Sequence, residues 1–118
     1  MSASALKLFF NIISIWKIRI HDARLLLGGA ESGLYNEMMK TPEGHVLSAD
    51  KLQRISYLVG IFKALNIVHG QELADQWIRL PNTNPIFNGN TPLDYIVKGG
   101  IPAMQTVRQL LDARRGGI

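Results

Sequence analysis

Residues 81–100 read PNTNPIFNGNTPLDYIVKGG, with three prolines, four asparagines and three glycines in twenty positions. Such a stretch cannot continue a helix or join the middle of a sheet, because proline lacks the amide donor and glycine and asparagine favour turns. Yet Ile86, Phe87, Leu93, Tyr95, Ile96 and Val97 lie inside it. A stiff, turn-rich segment carrying this many apolar groups must either pin itself to a core or present a surface to a partner.

Its second half has a definite local reading. Thr91 is a good N-cap, Pro92 suits the first helical position, and Asp94 falls in the first turn, where the helix dipole favours an acid. The pattern predicts a short helix from Pro92 to about Lys98, ended by Gly99-Gly100. Pro102 opens a last helix with Val107, Leu110 and Leu111 on one face. Leu93, Ile96 and Val97 read as core, while Ile86 and Phe87 are open between core and surface.

The rest of the chain has helical periodicity. Leu6, Phe9, Ile13, Trp16 and Ile20 recur at three- and four-residue steps, and Leu8, Ile12 and Ile15 add a second stripe. A short helix from about Asp22 to Leu27 meets Gly28-Gly29, and another starts near Glu31. Helix, glycine turn, helix is the plan of a helix-turn-helix, in which the second helix enters a major groove. That helix offers Ser32, Tyr35, Asn36 and Lys40 as DNA-reading residues, beside Glu31 and Glu37. The alternative is a helix pair that only completes the core. Ser48 caps a long helix to about Asn66, with Leu52, Ile55, Leu58, Val59, Phe62 and Leu65 as its buried stripe. Gly60 in its middle costs about 1 kcal/mol relative to alanine, which points to close approach by another helix. A helix from about Gln71 to Leu80 buries Leu73, Ala74, Trp77 and Ile78, and Pro81 stops it.

Composition narrows the function. The 118 residues suffice for one compact unit. With no cysteine, disulfides and thiolate metal sites are excluded, and a reducing, cytoplasmic location is expected. The net charge of +4 permits nucleic acid without requiring it, and three of the four charges fall in residues 48–118. The apolar run LKLFFNIISIWKI is interrupted by Asn11, Ser14 and Lys17 and is far short of a membrane span. No nucleotide-binding glycine loop, zinc motif or nucleophile elbow is present, and the three histidines have no ligand spacing. No catalytic residue, cofactor or metal is expected.

The stretch ADQWIRLPN (74–82), then NPIFNGNTPLDYI (84–96), the glycine pair 99–100 and VRQLLDARRGG (107–117) resembles the toxin-binding domain of Xre/MbcA/ParS-type antitoxins. Trp16, LLG at 26–28, Tyr35 and LSADKLQRISYLVGIFKAL (47–65) resemble the helix-turn-helix half of the same family. The resemblance implies an all-α protein of about seven helices, with residues 1–66 as the helix-turn-helix-like half and 67–118 as the toxin-binding half, packed as one unit. It implies a homodimer that neutralises a neighbouring-gene toxin of the RES-domain class, which attacks NAD, and that can repress its own operon. Inhibition in the family is steric, so the final helix and tail are expected to cover the toxin's cleft through Arg108, Leu111, Arg114, Arg115, Gly116, Gly117 and Ile118. Phe87 and Asn88 are expected to add a second contact, with Phe87 dispensable for stability. The rival reading is a DNA-binding transcriptional regulator without a toxin, and a small enzyme is a third.

Overall fold

Ser48 starts the longest uninterrupted helix by accepting a hydrogen bond at Oγ from the Lys51 amide, 3.2 Å away. Asp50 follows in the first turn. The computed structural model describes residues 2–115, the side chain of Arg115 excepted. All its regular elements are helical: α1 Ser2–Ile15, α2 Ile20–Leu26, α3 Ser32–Lys40, α4 Ala49–His69, α5 Gln71–Trp77 and α6 Pro92–Arg115. Single 3-10 turns lie at Pro42–Gly44 and Pro85–Phe87. Among the described residues no helix is long and apolar enough to cross a membrane.

The core forms around α4, which packs against α1, α5 and α6. Its buried side chains Ile55, Leu58, Ile61, Ala64 and Leu65 join Leu6, Phe9, Ile12 and Ile13 of α1 and Ile96, Met104, Val107 and Leu111 of α6. Trp16, fully buried just after α1, sits with its ring 5.9 Å from that of Phe62. Leu52, Val59 and Phe62, expected in the stripe, are half-buried at its edges. The chain leaves α1 through Lys17 at a φ of 55°, so Ile20 begins α2 and is exposed, and Ile18 takes the buried place. Leu73 is also exposed rather than buried: α5 has only seven residues and turns one narrow face, Ala74, inward.

Helix α6 is two helices in one. Thr91 Oγ1 accepts the Asp94 amide at 3.0 Å, so the predicted cap forms. At Gly100 the backbone takes φ 64° and ψ −146°, which breaks the helix. A residue with a side chain is strained in this conformation. The break therefore supplies the seventh helical segment that the sequence suggests.

The second segment of α6 runs alongside α4 in the same direction. Three contacts follow in the same order along both. The terminal guanidinium nitrogens of Arg54 lie 3.8 Å from where a Gly100 side chain would begin, Gln105 Nε2 donates to the Tyr57 hydroxyl at 2.8 Å, and the Arg108 guanidinium occupies the space a Gly60 side chain would need. Gly60 is the predicted point of close approach.

Gly100→Ala should lower stability by about 1–3 kcal/mol, the cost of holding a side chain at this φ. Thermal unfolding followed by circular dichroism would show it as a melting temperature lower by several degrees. An unchanged melting temperature would mean that the helix does not break at this residue.

Candidate functional site: the turn-rich loop and the C-terminal helix

The asparagines of the loop divide their work. Asn82 accepts the Asn84 amide at Oδ1 (2.9 Å), and Asn84 accepts the Ile86 amide in the same way (3.1 Å). These side chains imitate backbone turns and leave the loop little freedom. The Asn82 amide then donates to the Asn90 carbonyl and the Asn90 amide to that of Phe87, closing the loop on itself. The Leu93 amide donates to the Ile78 carbonyl at 2.9 Å and ties α6 to the end of α5. Asn88 takes the left-handed conformation, φ 51° and ψ 39°, that asparagine tolerates better than most residues. The side chains of Asn88 and Asn90 remain on the surface.

Phe87 belongs to the core. It is 1% exposed and meets Tyr95 and Trp77 edge to face, with ring centroids 5.3 and 5.9 Å apart. Trp77 in turn stacks on His69 at the end of α4, 6.3 Å away. The four rings form one continuous apolar ladder from α4 to α6. Its neighbour Ile86 is 38% exposed. Between the loop and the first segment of α6 lies a groove of about 360 Å³ lined by Ile86, Asn88, Asn90, Asp94, Tyr95 and Lys98, with Phe87 at its base.

The expected toxin-contacting residues fall into three groups. Phe87 and Leu111 are buried, so neither presents an exposed side chain, which corrects the expectation that Phe87 is dispensable for stability; Phe87 still underlies the groove. Asn88 and Arg114 are exposed. Arg108 is half-buried over Gly60, and its Nε donates to both carboxylate oxygens of Asp112, at 3.0 and 3.1 Å. The side chain of Arg115 and all of Gly116, Gly117 and Ile118 lie outside the described residues. Asn88 lines the groove, which also takes in Gly99, whereas Arg114 lies in the second segment of α6, beyond the break at Gly100.

In the N-terminal half, Gly28 and Gly29 turn the chain at positive φ between α2 and α3. Ser32, Asn36 and Lys40 form one exposed row on α3, at four-residue steps. Tyr35 is the exception and a further correction. It is 1% exposed against Phe10, rings 5.3 Å apart, and burial pushes its phenol pKa up. It cannot reach a base edge without leaving the core.

Two basic residues of α4 had no functional signal in the sequence. Lys51 Nζ donates to the Leu27 carbonyl at 3.1 Å, closing the end of α2. Arg54 donates to Asp50 at 2.9 Å and fits between Gly28 and Gly100, joining the α2–α3 turn to the break in α6. Only the Asp50–Arg54 spacing, four residues apart on a helix, could have suggested a pair. Among the described residues no three histidine, aspartate or glutamate side chains come together as metal ligands would.

Phe87→Ala should remove about 3–5 kcal/mol of stability, the usual cost of deleting a buried phenylalanine. Chemical denaturation would show it as a lower midpoint. Retention of the wild-type midpoint would return Phe87 to the surface. Tyr35 should ionise above the usual tyrosine range. Because its folded pKa is raised, that contribution to stability is whole below about pH 10 and is lost as pH rises through the folded value. An ultraviolet pH titration of the native protein beside Tyr35→Phe would isolate this group.

Residues 63–117 match the antitoxin Xre/MbcA/ParS C-terminal toxin-binding domain. The chain is 38% identical over 113 residues to the uncharacterized protein y4oB of Sinorhizobium fredii (strain NBRC 101917 / NGR234), an alignment that covers 95% of this chain and 84% of that protein. No solved structure matches it significantly. The end of α4, α5, the asparagine-built loop and both segments of α6 are thus a toxin-binding domain, and the chain belongs to the Xre/MbcA/ParS antitoxin family.

Proposed function

We propose that this protein is the antitoxin of a type II toxin–antitoxin module, and that it neutralises a RES-type, NAD-degrading toxin by laying the end of α6 and the tail over the active-site cleft. The observation that carries the reading is the placement of α6 within the matched domain. Among the described side chains Leu111 is the last of α6 in the core, while Ala113 and Arg114 beyond it are exposed. The same helix is held along α4 by Gln105 and Arg108, so its last turn is presented on a rigid support. A cleft shaped for an anionic dinucleotide suits arginine, whose planar fork pairs with phosphate or with the carboxylates that position a substrate. Inhibition of this kind needs no chemistry from the antitoxin, because NAD and the tail compete for one space. The homodimer fits the apolar depression between α1 and α4, where Ala5, Leu8, Leu52 and Val59 meet and Leu8 is half-exposed.

The exposed row Ser32, Asn36 and Lys40 supports a second activity, binding of the module's own operator. Exposed Glu31 and Glu37 beside it oppose phosphate, so this contact would depend on the opposite flank of α3.

The test is NAD loss catalysed by the protein encoded next to this one. Full-length antitoxin should stop it, and a form cut after Ala113 should not. If the cut form inhibits equally, the occluding element is not the tail. If the full-length protein neither inhibits nor associates, the antitoxin reading fails. For the operator, a promoter fragment should be retained in low salt and released steeply as salt rises. The same retention by an Asn36→Ala, Lys40→Ala variant would remove α3 as the reader.

A further inference from the structure

The groove beside the loop has features that occlusion by the tail does not use. Its loop wall is fixed before any partner arrives, since the Asn82 and Asn84 carboxamides are spent inside the loop and Phe87 is anchored in the aromatic ladder. A wall that needs no ordering loses little entropy on binding. Asn88 and Asn90 stand on its rim, and neither side chain makes a hydrogen bond within the described chain. Tyr95 and the base at Phe87 supply an apolar floor. Asp94 and Lys98 stand one helical turn apart on the facing wall, and no ion pair joins them.

We propose that this groove receives an extended peptide segment of the toxin, with one apolar side chain on the Tyr95 floor and its backbone held by the Asn88 and Asn90 carboxamides. The proposal rests on the antitoxin reading and names a second contact for it. A carboxamide offers a donor and an acceptor on one group, which matches the alternating N–H and C=O of an extended backbone. The rim carries one acid and one base, so it has no net charge to attract a phosphate or a nucleic acid. The same pair gives direction: a basic group of the incoming segment faces Asp94 and an acidic one faces Lys98. The volume of about 360 Å³ suits a short stretch of chain. The groove and the end of α6 belong to the same matched domain, so two contacts made by one toxin reinforce each other by effective concentration.

The experiment uses full-length protein and the neighbouring-gene product, titrated by calorimetry. An Asn88→Gly, Asn90→Ala variant removes both carboxamides while glycine keeps the positive φ at position 88. Lys98→Trp fills the groove from an exposed position. Each should weaken toxin binding by about tenfold or more, the loss of one or two intermolecular hydrogen bonds or of the seat itself, with little change in melting temperature. A photo-crosslinking amino acid at position 90 should capture one contiguous toxin peptide. Wild-type affinity in both variants, or no crosslink at position 90 in a complex that forms, would overturn the groove and leave the antitoxin reading intact. Failure of the wild-type protein to bind would overturn both.

Discussion

The contact of α4 with the second segment of α6 organises the rest of the molecule. Gly60 lets the Arg108 guanidinium lie against the α4 backbone, and Ile61, Ala64 and Leu65 of α4 share one core with Met104, Val107 and Leu111 of α6. The second segment follows the break at Gly100. The glycine conformation costs some chain entropy, and the burial of the apolar stripe offsets it.

The break also determines where the two candidate binding surfaces lie. The first segment of α6 faces the asparagine-built loop and forms one wall of the groove. The second carries Arg114 to the far end of α4. Both surfaces belong to the toxin-binding domain, which spans the end of α4, α5, the loop and α6. Arg54 touches both the α2–α3 turn and the helix break.

The loop shows why a turn-rich segment can be both stiff and apolar. Four asparagines are present, and position decides what each does. Asn82 and Asn84 build turns, Asn88 takes a positive φ, and Asn90 closes the loop through its backbone. Phe87 anchors the structure they make. The segment needs its aromatic ladder because backbone bonds alone, exposed to water, contribute little net stability.

Local physics made much of this legible in advance. The Ser48 and Thr91 caps, the glycine pair that ends the first segment of α6, the close approach at Gly60 and the core roles of Leu93 and Ile96 all follow from interactions within a few residues or from the absence of a side chain. The order of motifs from the tryptophan helix to the final arginines was enough to point to the family. What depended on distant parts of the chain was not legible. Tyr35 and Phe87 looked available for partners because no local rule says which side of a short helix or a 3-10 turn faces inward. Leu73 looked buried because helical spacing does not reveal how narrow a face a seven-residue helix will bury. Ile20 left the stripe of α1 because the chain turned at Lys17. The sequence by itself determined the helices, the caps at Ser48 and Thr91 and the family; the tertiary structure alone decided which apolar and aromatic groups are spent on the core. Burial is a property of the surfaces that meet, and those are brought together only by the whole fold.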